Sequence, residues 1–120
     1  MSKPKVLLAE DDFTMVTLLK TLLKMEGYEV IALDADADVI EAVRTITPDV
    51  LLMDVHLFSQ NGLDVLAKVR ESDDIKNIRV LMSSGSNVKD ECLKRGADGF
   101  LMKPYMPDDL FKLLSQVLSV

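Results

Sequence analysis

Short apolar runs recur along the chain and alternate with longer amphipathic stretches. Each run is too short for a helix and is bounded by polar or turn residues. Near-continuous apolarity without strict alternation is typical of strands that are buried on both faces. The pattern therefore predicts five β-strands, at 6–9, 30–33, 50–53, 80–82 and 100–102.

The stretches between these runs carry apolar residues at helical spacing. The first is preceded by Asp12, a residue suited to capping a helix, and Gly27 follows it as a stop. Strict alternation of strands and helices implies parallel strands, right-handed crossovers and helices on both faces. Five units are too few for an eight-fold barrel, so an open three-layer sandwich is favoured. The apolar positions of the five predicted helices span 15–23, 39–46, 63–70, 88–95 and 110–118.

Composition narrows the class of protein. The 120 residues suffice for one domain, and 48% hydrophobic content can build a core. A net charge of −6 argues against nucleic acid or an anionic membrane as a direct partner. The single cysteine, Cys92, excludes an internal disulfide framework or a multi-cysteine metal site. With no secretory signal and no apolar run long enough to span a bilayer, we expect a cytoplasmic protein.

Polar side chains follow four of the five predicted strands. Ligands of open parallel sheets bind at the carboxyl ends of the strands. Glu10 and Asp11 follow the first strand, Asp54 the third, the 83–86 segment the fourth and Lys103 the fifth. The sequence thus predicts carboxylates, a hydroxyl and an ammonium at one edge, while the second strand should lie at the periphery of the sheet.

Carboxylates at neighbouring strand ends repel one another unless a cation joins them. Oxygen ligands without histidine or cysteine side chains favour Mg²⁺, with Mn²⁺ as the alternative ion. A carboxylate beside such a cation can attack phosphorus and form an aspartyl phosphate. Lys103 and the Ser84 hydroxyl would stabilise the transferred group. A nucleotide site has no support, because the chain contains no glycine-rich phosphate loop.

Four motifs, in order and at matching spacing, resemble the receiver domain of two-component response regulators. The resemblance covers essentially the whole chain. It implies a single receiver domain over 1–120, without an output domain in this chain. It also implies a flavodoxin-like, doubly wound α/β sheet of five parallel strands in the order 2-1-3-4-5, with five helices. The motifs are Leu7-Leu8-Ala9-Glu10-Asp11-Asp12, Leu52-Met53-Asp54 with Gly62-Leu63, Met82-Ser83-Ser84-Gly85, and the 96–104 segment GADGFLMKP.

The resemblance assigns the acidic residues to a phosphorylation and metal site. Asp54 would be the phosphoacceptor. Asp11 and Asp54 would bind the metal directly, Glu10 would act through water, and the backbone carbonyl of His56 would complete the protein ligands. The implied cofactor is Mg²⁺ or Mn²⁺.

The resemblance also assigns residues that respond to phosphorylation. Ser84 takes the place of the switch hydroxyl, and Phe100 falls at the aromatic switch position. Lys103 would contact the phosphoryl group, held by a peptide bond to Pro104 that is usually cis in this family. Two departures concern loops: Phe58 stands where proline is common, and Gly85 replaces a common alanine. A third is that Phe100 lacks a phenolic hydroxyl.

Several other residues have structural interpretations. We expect Asp12 to cap a helix rather than bind metal, and Ser83 to be a buried strand-end residue. The His56 side chain should be an exposed loop group, and Cys92 an inert helix residue. For Ser86 the sequence allows two roles, a helix cap or a residue placed over the phosphoryl site.

The implied function is a phosphorylation-switched signalling receiver. Its partners would be a sensor histidine kinase or histidine phosphotransferase and an unidentified downstream protein, with the receiver monomeric or dimerising on phosphorylation. It would catalyse its own phosphorylation and dephosphorylation without being an enzyme for a separate substrate. One alternative is a phosphohydrolase of the haloacid dehalogenase type, which would want an acid where His56 stands. Another is a degenerate receiver that only binds protein.

Overall fold

The computed structural model describes residues 3–34, 36–57 and 59–118. Strands and helices alternate as the sequence pattern predicts. In chain order they are β1 (Lys5–Ala9), α1 (Phe13–Met25), β2 (Glu29–Ala32), α2 (Val39–Ile46), β3 (Val50–Asp54), α3 (Gly62–Glu71), β4 (Arg79–Ser84), α4 (Lys89–Lys94), β5 (Gly99–Met102) and α5 (Pro107–Leu118).

The strands form one sheet in the order β2-β1-β3-β4-β5, with every neighbouring pair parallel. This confirms the expected strand order and places β2 and β5 at the two edges. Every residue of β3 is buried. Because β1 and β4 flank β3, the polar residues at the ends of these three strands become neighbours.

Helices cover both faces of the sheet, which confirms the three-layer arrangement. On one face, strand residues such as Leu7 and Met53 pack against apolar side chains of α2, α3 and α4. On the other face, Leu8 and Leu52 pack against α1 and α5. Successive strand residues point to opposite faces, so the apolar runs serve both cores.

Side-chain caps fix the starts of three helices. The Asp12 side chain accepts a hydrogen bond from the Met15 N–H, which confirms its predicted role as a helix cap. Asp38 and Asn61 cap α2 and α3 in the same way. The N-cap of α4 is Val88, without a side-chain hydrogen bond, so Ser86 is not the cap of this helix. None of the helices in the described ranges is long and apolar enough to cross a membrane.

A single arginine joins three segments at the amino end of the sheet. Arg70, on α3, donates to the carbonyls of Gly96, Lys76 and Ile78 at 2.9, 2.8 and 2.7 Å. It also pairs with the Asp98 carboxylate at 2.9 Å. Asp98 in turn accepts the Val80 N–H at 2.8 Å. This network holds the segments that precede β4 and β5 against α3, at the end of the sheet opposite the acidic residues.

Candidate functional site

Side chains from three strand ends meet at the carboxyl edge of the sheet. Glu10 directly follows β1, Asp54 is the last residue of β3, and Lys103 directly follows β5. The Lys103 ammonium lies 2.5 Å from Glu10 Oε1 and 2.5 Å from Asp54 Oδ2. The structure therefore brings together residues that are far apart in sequence, as the strand-end argument predicts.

Asp54 lies at the base of this site and is only 8% exposed. Its Oδ1 accepts the backbone N–H of His56 at 2.9 Å, while its Oδ2 accepts from the Lys103 ammonium. Both carboxylate oxygens thus have a donor, and these donors offset the cost of burying the negative charge.

Asp11 lies beside this pair and is more exposed. Burial and the negative charge of Asp54 raise the pKa of Asp11 above its ordinary value, while the Lys103 charge acts in the opposite direction. Three carboxylates, those of Glu10, Asp11 and Asp54, lie near a single ammonium, so Lys103 alone does not balance their charge. The site retains an excess of negative charge that a further cation would relieve.

Lys103 occupies the position between two of the three acidic side chains. Within the ranges that the structure describes, no three carboxylate, imidazole or thiol groups form a ready-made metal-ligand cluster. The donor set of Glu10, Asp11 and Asp54 nevertheless consists of hard oxygen atoms, which fit Mg²⁺ by their chemistry. A dication joining them would require the Lys103 ammonium to give up at least part of its present pairing.

The backbone of His56 faces the site. His56 and Asn61 form an isolated antiparallel bridge, flanked by hydrogen bonds from Leu57 N–H to Gln60 O and from Gly62 N–H to Val55 O. In such a pair, the N–H and C=O groups of His56 itself point away from Asn61. Its N–H reaches Asp54 Oδ1. By the same pairing rule we expect its carbonyl to point to the side that its N–H faces. The His56 side chain is exposed, as expected.

The ends of β4 and β5 are joined at Ser84. This residue is fully buried, and its hydroxyl oxygen accepts the Ser86 N–H at 3.1 Å. The Ser84 carbonyl accepts the Lys103 N–H at 2.8 Å. The Lys103–Pro104 peptide bond is cis, which confirms that expectation. Phe100, earlier on β5, is half-buried and packs against the core formed with α2, α3 and α4.

Tyr105 is a neighbour of the site that the sequence analysis missed. Burial and the charges of Glu10 and Asp54 raise the pKa of its phenol well above the ordinary value. The side chain lines a largely apolar cavity of about 480 Å³ between α1 and the β5–α5 loop. The only indication in the sequence that Tyr105 lies near the site is its position two residues after Lys103. That position does not predict whether the ring points toward the site or away from it.

The remaining predicted residues are placed as follows. Ser83 and Cys92 are buried, as expected for structural residues, and burial raises the pKa of the Cys92 thiol. Gly85 is exposed and Ser86 lies in the loop beyond Ser84. Phe58, which replaces a common proline, lies outside the described residues.

Comparison with known proteins identifies the family. Residues 6–115 match the family described as the response regulator receiver domain. The two-component response regulator ORR5 of Oryza sativa subsp. japonica is 32% identical over 120 residues, which cover 96% of this chain and 89% of that protein.

Two solved structures have the same fold. The chemotaxis response regulator CheY4 of Vibrio cholerae matches with a TM-score of 0.83 and 30% identity, covering 98% of this chain and 100% of that one. The receiver domain of the sensor histidine kinase PA1611 from Pseudomonas aeruginosa PAO1 matches with a TM-score of 0.81 and 25% identity. The match covers 98% of this chain and 100% of that one. That structure holds a magnesium ion in its active site cleft. With its motifs, sheet order and family match in agreement, the chain belongs to the response regulator receiver domains of two-component systems.

Proposed function

We propose that Asp54 accepts a phosphoryl group from a sensor histidine kinase or histidine phosphotransferase, and that this modification changes a protein-binding face of the domain. The observation that carries the proposal is the Asp54 carboxylate. It is buried at a strand end, its Oδ1 is held by a backbone N–H, and its Oδ2 is paired with the Lys103 ammonium. A carboxylate fixed in this way has a defined direction for attack.

The transfer forms a bond between an Asp54 carboxylate oxygen and phosphorus, and it breaks the bond from phosphorus to the donor's imidazole nitrogen. The imidazole leaves with the electron pair and takes up a proton. Lys103 already pairs with the attacking carboxylate, so its ammonium can follow the negative charge onto the phosphoryl oxygens. Lys103 thereby stabilises the transition state without moving far.

The oxygen-rich donor set supports a metal at the same edge. Asp11, Asp54 and the His56 carbonyl would hold Mg²⁺, or Mn²⁺ in its place, with Glu10 acting through water. When bound, the cation supplies positive charge that offsets the charge on the phosphoryl oxygens. Support comes from the raised pKa of Asp11 and from the magnesium-bound receiver of PA1611.

Ser84 would report the modification to the rest of the domain. Its hydroxyl oxygen accepts the Ser86 N–H, and a serine hydroxyl that accepts a hydrogen bond can also donate one, here to a phosphoryl oxygen. A shift of Ser84 would also displace Lys103, because the Lys103 backbone N–H donates a hydrogen bond to the Ser84 carbonyl. We therefore expect the face formed by α4, β5 and α5, with Phe100 beside it, to change on phosphorylation.

The receiver would catalyse both its own phosphorylation and the later hydrolysis. The downstream partner would be a protein that distinguishes the two states, and self-association on phosphorylation is one form that this recognition could take. Phosphorylation adds negative charge and three acceptor oxygens at the site, which is the physical basis of the switch.

Phosphorylation by a small donor tests the proposal. The protein is incubated with acetyl phosphate or phosphoramidate and Mg²⁺, and its intact mass and labelled residue are determined. We expect a single phosphoryl group on the parent protein, none on Asp54→Asn, and normal labelling of Asp64→Asn, which alters an exposed carboxylate on α3. Full labelling of Asp54→Asn at another residue would contradict the assignment.

The same experiment separates the alternatives. A phosphohydrolase would turn over a phosphorylated substrate many times without accumulating the acyl phosphate. A degenerate receiver would show neither labelling nor turnover, although the paired Asp54 and Lys103 argue against that alternative.

A further inference from the structure

The Gln60 side chain crosses from the β3–α3 loop to the neighbouring β2–α2 loop. Its Nε2 donates to the Ala37 carbonyl oxygen at 2.7 Å, and the contact is partly buried. The two residues are separated by 23 positions in sequence. This is a tertiary hydrogen bond between two loops at the edge of the sheet that carries the site.

The acceptor of this hydrogen bond is itself well fixed. The Ala37 N–H donates to the Asp34 carbonyl at 3.0 Å, which closes a turn. The next residue, Asp38, caps α2 by accepting the Glu41 N–H at 3.2 Å. Ala37 therefore sits between a closed turn and a capped helix, and it offers Gln60 an acceptor that does not move freely.

The donor belongs to the loop that presents the His56 backbone. The tip of this loop is closed by the 3.2 Å hydrogen bond from the Leu57 N–H to the Gln60 carbonyl. The His56–Asn61 bridge leaves the His56 N–H free to donate to Asp54, and by the pairing rule we expect the His56 carbonyl to face the same side. Gln60 thus holds the loop twice, through its carbonyl within the loop and through its side chain to Ala37.

We propose that Gln60 is a positioning residue for the metal site: by tying its loop to Ala37, it fixes the direction of the His56 carbonyl. The inference rests on the proposed function, since it takes that carbonyl to be a ligand of Mg²⁺. Groups that orient metal ligands from outside the ligand shell contribute measurably to metal affinity. Gln60 does so through the backbone of its loop and does not touch the metal.

Calorimetric titration with MgCl₂ tests this role in four forms of the full chain: the parent, Gln60→Met, Ser59→Ala and Asp11→Asn. Gln60→Met keeps the length of the side chain and removes only the amide donor. Ser59→Ala changes an exposed side chain in the same loop and serves as the matched control. Asp11→Asn removes a proposed ligand.

We expect Gln60→Met to bind Mg²⁺ about fivefold more weakly than the parent, which corresponds to one net hydrogen bond. Ser59→Ala should bind like the parent, and Asp11→Asn should lose most of its affinity. Urea unfolding without metal should show that Gln60→Met is fully folded in the absence of urea, with its free energy of unfolding lowered by no more than one missing hydrogen bond accounts for. At saturating Mg²⁺, the two should be phosphorylated at equal rates.

The possible outcomes distinguish failure of the proposed Mg²⁺ site from failure of the role given to Gln60. Unchanged Mg²⁺ affinity in Gln60→Met, with affinity lost in Asp11→Asn, would overturn the role of Gln60 and leave the proposed site intact. If Gln60→Met bound Mg²⁺ more weakly only because part of it was unfolded without urea, Gln60 would be a general structural residue and the inference would also be overturned. Undiminished binding by Asp11→Asn, or no binding by the parent, would overturn the metal site and the role of Gln60 with it.

Discussion

Lys103 Nζ lies 2.5 Å from Asp54 Oδ2, although β4 separates the strands from which these two residues come. The side chain of Lys103 therefore reaches past the end of a whole strand to meet the Asp54 carboxylate. Because it also meets Glu10, a single ammonium pairs with two of the three acidic side chains. The metal-free protein thus carries its own partial counter-charge.

Removing that counter-charge should destabilise the metal-free protein. Lys103→Ala leaves Glu10 and Asp54 close together without their shared donor, and we expect a loss of about 1–2 kcal/mol in the free energy of unfolding. Mg²⁺ should bind this variant at least as tightly as the parent, because the ammonium no longer competes for the carboxylates. Urea unfolding and Mg²⁺ titration measure both effects, with exposed Lys112→Ala as the control. A large loss of Mg²⁺ affinity would contradict this account of Lys103.

The Lys103 pairing also has a defined pH dependence. Burial lowers the pKa of Lys103, but the hydrogen bonds and charges of Asp54 and Glu10 outweigh it, so the pKa lies above its ordinary value. A raised pKa means that the folded state holds this proton more tightly than the unfolded state. The stabilisation is therefore fully present at neutral pH and is lost only as pH rises above about 10.4, the ordinary lysine value.

Asp11 should oppose folding of the metal-free protein at neutral pH. Its pKa is raised, so the folded state binds a proton more readily than the unfolded state, and stability falls as pH rises from about 3.9 through the folded pKa. Asp11→Asn should remove this part of the pH dependence and make the metal-free protein more stable at pH 7. Urea unfolding across the acidic range provides the measurement.

Mg²⁺ should reverse the effect of Asp11 in the parent. Binding to the folded state alone stabilises by about 2.7 kcal/mol at a hundredfold excess over the dissociation constant. Asp11→Asn should lose most of this gain. A variant that was less stable without metal, and gained as much from Mg²⁺ as the parent, would show that Asp11 lies outside the metal site.

Gly62 should be intolerant of any side chain. A Cβ there would collide with the Asp54 carbonyl oxygen and lie 2.9 Å from Val55 Cα, both of which are backbone atoms. Gly62→Ala must therefore displace the segment that carries Asp54, the proposed phosphoacceptor, and we expect a loss of about 1–3 kcal/mol in the free energy of unfolding with slower phosphorylation.

Gly85 offers a matched control in the other loop of the site. A Cβ at Gly85 meets no atom within 4 Å. Gly85→Ala should therefore leave stability within about 0.5 kcal/mol of the parent. If urea unfolding ranked the two variants in the opposite order, the close approach at Gly62 would not be what holds α3 against Asp54.

Arg70 should matter for stability without taking part in the chemistry. Arg70→Ala leaves the carbonyls of Gly96, Lys76 and Ile78 and the Asp98 carboxylate without their donor, and should cost about 2–4 kcal/mol. The exposed pair of Arg44 with Asp74 provides the comparison, and Arg44→Ala should cost less than about 1 kcal/mol. The labelling of folded Arg70→Ala at Asp54 should be unchanged, as intact-mass measurement would show.

The apolar pattern predicted the alternation of strands and helices and the three-layer arrangement, whereas the strand order followed from the family resemblance. Runs such as 50–53 are short and apolar throughout, so they suit strands with both faces covered, and the structure buries every residue of β3. The cap at Asp12 was also predictable, because a capping side chain bonds backbone within its own first turn. These are local or periodic signals, which a single sequence carries.

Other features depend on which way side chains turn after folding. Lys103 was predicted to lie near the acidic residues because it follows a parallel strand, but its pairing with both Glu10 and Asp54 depends on its rotamer and on the strand order. The side chains of Gln60 and Arg70 donate hydrogen bonds to the backbone carbonyls of Ala37 and Gly96. Every residue has a backbone carbonyl, so the identity of the accepting residue does not predict such a bond. The sequence also left two roles for Ser86, a helix cap or a residue over the phosphoryl site. In the structure the N-cap of α4 is Val88.

The short helix α4 is a segment that we expect to unfold locally at a low cost in free energy. It spans only Lys89–Lys94, begins without a side-chain cap and contributes one buried residue, Cys92. Helices of this length are not stable by themselves and depend on their packing. Local unfolding of α4 therefore breaks few contacts, and its amides should exchange hydrogen for deuterium well before those of β3. A ligand that binds the ordered and the opened forms of this helix with different affinities would shift the local equilibrium between them by that difference.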